Sequence, residues 1–128
     1  MARLPRKPAF WLTAFIVWFV TLYILSSFAG PGGVAPIEGF DKVEHFGYFF
    51  GGSGLFCAWL FRRNPENPNW TALLVTAVLV LGLVGWLDEV HQGFTPGRSG
   101  NDPFDWIADF LGAVVGALVF KALHPRLK

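Results

Sequence analysis

The feature that most constrains this chain is a series of long apolar runs separated by short polar loops. A hydrocarbon core of about 30 Å requires about 20 predominantly apolar residues, because a helix rises about 1.5 Å per residue. We predict four transmembrane helices over about 9–28, 43–61, 70–87 and 106–123. The chain, 1–128, is therefore interpreted as one all-α transmembrane domain, a membrane-embedded antiparallel bundle of four helices.

The composition agrees with a membrane protein, since 53% of the residues are apolar and only 15% are charged. The net charge of +1 gives no indication of a nucleic-acid partner. The single cysteine, Cys57, excludes an intrachain disulfide and a thiolate metal cluster. Ser27-Phe28-Ala29 resembles a signal-peptide cleavage site, but the 20 residues before Ala29 exceed the usual signal core of about 7–15, so we predict an uncleaved span.

The positive charges predict how the helices are oriented. If the chain crosses four times, eight of the ten Lys and Arg residues fall on one side and eight of the nine Asp and Glu residues on the other. Lys42, Arg98 and Glu66 are the exceptions. Because cytoplasmic loops carry the excess of Lys and Arg, both termini are predicted to be cytoplasmic, in a multi-pass protein of the inner (plasma) membrane.

Two glycine pairs, Gly47 with Gly51 and Gly112 with Gly116, each give one helix a flat face. Small residues allow transmembrane helices to approach closely. We predict that both pairs pack inside the bundle rather than in a dimer interface. The sequence leaves the oligomeric state open.

Polar residues concentrate at the predicted outer ends of the last three helices. Residues four apart share a helix face, and three such pairs occur here: Asp41 with His45, Asp88 with Gln92, and Asp105 with Asp109. A charge at the bilayer centre costs about 2.5–3.5 kcal/mol, so membrane-embedded polar residues are expected to face one another or water. We therefore predict a shared crevice. Asp41 and Asp105 could also be simple helix caps, and His91, off these faces, is predicted to be a solvated interface residue.

This crevice contains the residue types of an acid–base site. His45 with Asp41 or Asp88 resembles a general base with an orienting carboxylate. Arg98, in a turn with glycine, suits a phosphate or a carboxylate. The predicted catalytic residues are His45, Asp88, Glu89 and Asp41. The predicted substrate-binding residues are Arg98, Gln92, Asp105, Asp109 and Lys42.

Two other interpretations receive less support. Four acids could instead hold a divalent cation: Asp88, Glu89, Asp105 and Asp109. No spacing matches a known ligand motif, so the sequence predicts no metal and no cofactor. An ion or proton pathway is disfavoured because the middle of the spans, such as 77–83, contains no charge.

At these polar residues the sequence resembles the VanZ-like family of small bacterial membrane proteins. The motifs are Asp41-Lys42-x-x-His45-Phe46, Asp88-Glu89-x-x-Gln92-x-Phe94, Pro96-x-Arg98, and Asp105 with Gly112 and Gly116. The similar region runs from 41 to about 120, and the first helix matches only as a hydrophobic span. Asp109 stands where the family usually has Asn, which adds one negative charge.

The resemblance implies a four-helix membrane domain with a link to glycopeptide (teicoplanin) resistance. It also implies action on a lipid head group or lipid-linked cell-envelope precursor at the outer leaflet, as a hydrolase or transferase. The expected partner is thus a membrane lipid or lipid-linked precursor. The alternative is a non-catalytic membrane protein that uses the same residues to bind a lipid, a wall precursor or a glycopeptide.

Overall fold

The computed structural model describes residues 3–27, 40–96 and 102–127, with all their side chains except those of Phe40 and Asp41. Regular structure within these residues is entirely helical, as predicted. The helices are α1 (Pro8–Ser26), α2 (Phe40–Arg63), α3 (Trp70–Gly93) and α4 (Pro103–Leu123). A short 3-10 helix, His124–Leu127, follows α4.

Side-chain caps determine where α3 and α4 begin. The side-chain oxygen of Asn69 accepts a hydrogen bond of 3.0 Å from the backbone N–H of Ala72. The Asp102 carboxylate accepts one of 2.9 Å from the N–H of Phe104. Pro103 then occupies the first turn of α4, where a missing N–H costs no helical hydrogen bond.

Three of the helices are long and apolar enough to cross a membrane: α1, α3, and α4 together with the 3-10 helix. Large apolar side chains such as Ile24, Leu79 and Leu118 are more than half exposed on their surfaces. Soluble monomers rarely expose extensive apolar surface, whereas lipid accommodates it. The protein is therefore embedded in a membrane.

The helix α2 does not meet the same criterion among the described residues. Its 24 residues are enough to cross a bilayer. However, charged residues lie at both of its ends. The first turns contain Lys42 and Glu44, and the last turn contains Arg62 and Arg63. A fourth crossing, and the orientation of the helices in the membrane, stay predictions.

The helices α2 and α4 pack with their backbones in contact. A Cβ at Gly112 would collide with the backbone oxygen of Phe46, and a Cβ at Gly116 would lie 2.5 Å from that of Phe50. Ser53 Oγ also donates a hydrogen bond of 2.7 Å to a backbone oxygen of α4. The predicted packing of this glycine pair inside the bundle is confirmed.

The other glycine pair behaves differently. Both Gly47 and Gly51 are exposed, and a Cβ on either would meet no described atom within 4 Å. The prediction that this pair packs inside the bundle is wrong for the described structure, because α2 turns the face with Phe46 and Phe50 toward α4.

The first helix is attached to α2 mainly through Trp18. Its ring lies directly over Gly52, leaving no space for a Cβ there. Trp18 Nε1 donates a hydrogen bond of 3.1 Å to the backbone oxygen of Tyr48, and the Tyr48 hydroxyl donates one of 2.8 Å to that of Trp18. Only Trp18 and Ser26 are buried within α1, so this helix presents most of its surface outward.

The two ends of the bundle differ in character. The acidic end, as we call it, combines the ends of α1 and α3 with the beginnings of α2 and α4. The opposite, aromatic end joins the end of α2 to the beginning of α3 and the end of α4, since the Phe61 ring lies 5.9 Å from the rings of both Trp70 and Phe120. The polar residues singled out in the sequence lie at the acidic end.

Candidate functional site at the acidic end

A hydrogen bond between α2 and α4 forms the centre of the acidic end. His45 Nδ1 lies 2.7 Å from Oδ1 of Asp109, whose side chain is fully buried. The sequence predicted Asp41 or Asp88 as the carboxylate that orients His45. Between the two acids with described side chains, the structure pairs His45 with Asp109 and not with Asp88. The backbone contact at Gly112, one turn after Asp109, sets the register of α4 against α2 and explains this pairing. Asp41, the other predicted partner, has its side chain outside the described residues.

Two further carboxylates surround the same imidazole. Glu89 Oε1 lies 4.0 Å from His45 Nδ1, and Asp105 Oδ2 lies 3.7 Å from His45 Nε2. Both acids are largely buried. His45 is therefore enclosed by acidic groups from α3 and α4, whereas an open crevice at this place stays a prediction.

Lys42 and Asp102 connect the beginnings of α2 and α4. Lys42 Nζ lies 2.8 Å from Asp102 Oδ2 and 2.5 Å from Asp105 Oδ1. The hydrogen bond from Lys42 holds the pKa of Asp102 below its ordinary value of 3.8. The backbone N–H of Asp102 also donates to Glu89 Oε2 at 3.3 Å. Sequence reasoning missed Asp102, although an acid directly before a helix-starting proline is a signal for such a cap.

Asp88 belongs to a second polar group, between α1 and α3. Ser26 Oγ donates a hydrogen bond to Asp88 Oδ1, and Gln92 Nε2 donates one of 2.8 Å to Asp88 Oδ2. Asp88 and Gln92 thus share a helix face, as their spacing predicts. Sequence reasoning missed Ser26, which is buried; its signal was a hydroxyl in the last turn of an apolar helix.

His91 lies beside this second group and corrects one prediction. Its ring stacks on Tyr23 with centroids 4.6 Å apart, and its Nε2 lies 3.0 Å from Ser27 Oγ. The residue is half-buried between α1 and α3 rather than solvated at the interface. The end of α1, which resembled only a hydrophobic span, therefore contributes hydroxyl and aromatic side chains to the acidic end.

A mostly apolar cavity of about 160 Å³ opens between α1 and α3. Leu22, Val84 and Leu87 are among its lining residues, together with Asp88 and His91. Since Val84 precedes His91 by two turns of α3, the cavity runs along the helix toward the acidic end.

Space and hydrogen bonding around Asp109 are both unusual. A Cβ at Gly85 would lie 3.0 Å from Asp109 Oδ2, so the glycine leaves room for this carboxylate. Asp109 Oδ2 and Glu89 Oε1 are buried and accept no hydrogen bond from the described residues. Four residues each offer one ligand atom within 4.8 Å of the others, close enough to hold a metal ion: His45, Asp88, Glu89 and Asp109.

Most of the predicted site residues meet at the acidic end. Those with described side chains are His45, Lys42, Asp88, Glu89, Gln92, Asp105 and Asp109. Asp41 lies in the first turn of α2 without a described side chain, and Arg98 lies outside the described residues. The division into catalytic and substrate-binding residues stays a prediction.

Residues 9–124 match the family model described as VanZ/LLP1. This chain belongs to the VanZ/LLP1 family. The match includes α1 as well as the three helices that carry the polar motifs.

One relative of this VanZ/LLP1 chain is a protein of Schizosaccharomyces pombe named Uncharacterized protein C11E3.10. The two are 32% identical over 108 residues, which is 84% of this chain and 63% of the yeast protein. The chain thus spans less than two thirds of that relative's length. No solved structure matches this chain.

Proposed function

We propose that this VanZ/LLP1 protein crosses the plasma membrane four times, with both termini in the cytoplasm and the acidic end at the outer surface. In α2, residues 45–61 contain no Asp, Glu, Lys or Arg and span about 25 Å as a helix. Arg62 and Arg63 follow on the side that the other cations mark as cytoplasmic. Lys42 and Glu44 then lie at the outer interface.

At that surface, the acidic end acts on the polar head group of a membrane lipid or a lipid-linked envelope precursor. The observation that carries this proposal is the hydrogen bond between His45 and the buried Asp109 carboxylate. When Nδ1–H donates to Asp109, Nε2 can accept or return a proton, which is the role of a general acid–base catalyst. In this role Asp109, rather than Asp88, orients the imidazole, and Glu89 lies beside the pair.

The cavity between α1 and α3 supports a lipid as the ligand. It lies along the apolar face of two membrane helices and extends to Asp88 and His91. An acyl chain in this cavity would place its head group next to the polar cluster. Lys42 supplies positive charge at the same end, and Arg98 is predicted to do so, as a phosphate requires.

A second candidate function is binding of the same ligand without catalysis. Both carboxylate oxygens of Asp88 accept hydrogen bonds from within the protein, one of them from Ser26 Oγ. The Ser26 hydroxyl therefore donates to Asp88 and is not positioned to act as a nucleophile. This arrangement suits recognition as well as hydrolysis or transfer.

The test is a mass-spectrometric profile of lipids and wall precursors in cells that lack this protein or carry one of its variants. Wild type and Glu66→Gln, which removes an exposed acid at the other end, should produce the same change in one lipid or precursor pool. His45→Ala should reduce the rate of that change by about 10²–10⁴-fold at equal protein level, the usual contribution of a general acid or base. Full activity of His45→Ala would contradict the proposed catalysis.

The same strains separate the two candidate functions. Binding alone predicts no product in any strain, together with retention of a lipid or precursor by the purified wild type that His45→Ala weakens. Teicoplanin susceptibility, measured in parallel, tests the link to glycopeptide resistance. Equal susceptibility of all strains would remove that link without affecting the lipid result.

The proposed orientation has its own test in intact cells. Phe94 is exposed at the acidic end and Asn64 is exposed at the aromatic end. In a Cys57→Ala background, a membrane-impermeant thiol reagent should label Phe94→Cys in intact cells and Asn64→Cys only after lysis. Labelling of Asn64→Cys in intact cells would contradict the proposed topology.

A further inference from the structure

We propose that the acidic end binds one divalent cation between α2, α3 and α4. The ligand atoms come from His45, Asp88, Glu89 and Asp109, and they lie within 4.8 Å of one another. These four residues belong to three different helices, so a cation bound here would link α2, α3 and α4 to one another. This inference goes beyond the proposed function and does not depend on the identity of any lipid. A His45 nitrogen that binds the cation is not free to accept a proton, so the cation-bound protein is a different state from the one that performs acid–base chemistry.

The second observation behind this site is a pair of buried oxygen atoms without hydrogen bonds. Asp109 uses Oδ1 for His45, and Glu89 uses Oε2 for the backbone N–H of Asp102. Their other oxygens, Asp109 Oδ2 and Glu89 Oε1, are buried and accept no hydrogen bond from the described residues. Leaving such a group unsatisfied is unfavourable, and more so when the group is charged. A cation supplies the missing partner for both oxygens.

Acidic clusters on protein surfaces often exist without an ion, but burial distinguishes this one. The side chain of Asp109 is 0% exposed and that of Glu89 is 4% exposed. Water at the surface therefore does not solvate these two carboxyl groups as it would solvate exposed acids. Neither residue caps a helix, because Glu89 lies in the last turns of α3 and Asp109 in the second turn of α4.

The nearby ammonium group does not replace the cation. Lys42 Nζ contacts Asp102 and Asp105, which lie at the outer edge of the cluster. Lys42 therefore does not supply the hydrogen bonds that Glu89 Oε1 and Asp109 Oδ2 lack. His45 does not supply them either, because its Nδ1 bonds to Asp109 Oδ1 and lies 4.0 Å from Glu89 Oε1.

The ligand set favours a particular class of ion. Carboxylates suit Mg²⁺, Ca²⁺ and Mn²⁺, whereas an imidazole suits zinc and other transition metals. Three carboxylates and one imidazole therefore favour Mn²⁺ or Zn²⁺ over Mg²⁺. The sequence predicted no metal because the ligands come from separate helices and have no motif spacing. A cation here would also offer a positive partner to the phosphate of a lipid head group.

The test uses the full-length protein in lipid nanodiscs, stripped with a chelator and titrated with Mn²⁺. Free Mn²⁺ is measured by its electron paramagnetic resonance signal. The wild type should bind one Mn²⁺ per chain, and Zn²⁺ should displace it. Glu89→Gln and Asp109→Asn should each weaken binding by more than about tenfold, since loss of even an outer-shell partner typically costs 10–100-fold. Glu66→Gln, which removes one acid at the aromatic end, should bind as the wild type does.

Two results would overturn the cation site: no saturable binding by the folded wild type, or wild-type affinity in Glu89→Gln. Circular dichroism establishes that each variant retains its helices. If Asp109→Asn fails to fold, the wild-type titration and Glu89→Gln still decide the question. A protein that binds Mn²⁺ but changes no lipid pool would retain this site and lose the proposed function, so the two proposals fail separately.

Discussion

The acidic and aromatic ends of the bundle are held together by different interactions. At the acidic end, the helices are joined through polar contacts such as the hydrogen bond between His45 and Asp109. At the aromatic end, the fully buried Phe61 stacks against Trp70 and packs edge-on against Phe120. The acidic end therefore buries polar groups that must form hydrogen bonds or ion pairs with one another, while the aromatic end buries apolar side chains.

These two kinds of contact have different energetic consequences. Close packing of apolar side chains stabilises a membrane bundle through van der Waals contacts, since lipid itself is as apolar as these side chains, whereas burial of charged groups costs free energy unless every group is paired. Replacing a buried ion pair by apolar residues is often neutral or stabilising. The acidic end is therefore explained better by its chemistry than by its contribution to stability. Arg62 is an exception at the aromatic end, since its Nε and Nη2 are buried without described hydrogen bonds.

The largest effect is expected from Phe61→Ala at the aromatic end. Removal of a fully buried phenyl ring should lower the free energy of unfolding by about 3–5 kcal/mol. The matched control is Phe94→Ala at the acidic end, where the ring is 83% exposed; it should change stability by less than about 0.5 kcal/mol. Unfolding in detergent micelles measures both. Equal losses would show that packing at the aromatic end is not what holds the bundle together.

An intermediate effect is expected from Gly112→Ala, which tests how packing supports the acidic end. The added methyl group would collide with the backbone of α2 at Phe46. We expect a loss of about 1–3 kcal/mol, as for other overpacked sites. Gly47→Ala adds the same group in open space on α2 and should be neutral or slightly stabilising. A neutral Gly112→Ala would mean that the two helices are not in backbone contact.

The smallest effect concerns the partly exposed pair of Lys42 and Asp102. Because the pKa of Asp102 is held below 3.8, its contribution to stability is present above that value and is lost as the pH falls through the lower pKa of the folded state. Asp102→Asn, which retains a cap, should be slightly less stable than the wild type near about pH 6. The difference between the two melting temperatures should begin to shrink as the pH falls below 3.8 and should vanish once the pH is below the lower pKa of folded Asp102. A difference that grows on acidification would contradict this pairing.

The sequence predicted the helices and the end at which the polar residues collect, because apolar run length and charge spacing depend on local order along the chain. It did not predict that His45 pairs with Asp109. That pairing depends on how far α4 slides along α2, which is set by Gly112 and Gly116 meeting one particular backbone segment. The spacing of residues four apart predicts contacts only within one helix. It therefore could not predict the contact between Ser26 of α1 and Asp88 of α3.

The proposed chemistry depends on the hydrogen bond between His45 and Asp109, which nitrogen-15 NMR of histidine-labelled protein in metal-free nanodiscs can detect. The chain contains three histidines, so His45→Gln identifies the His45 ring signals by their loss. We expect an exchange-protected Nδ1–H signal from His45 that disappears in Asp109→Ala and persists in Glu66→Gln. A His45 signal that is unchanged in Asp109→Ala would show that His45 does not donate its proton to Asp109.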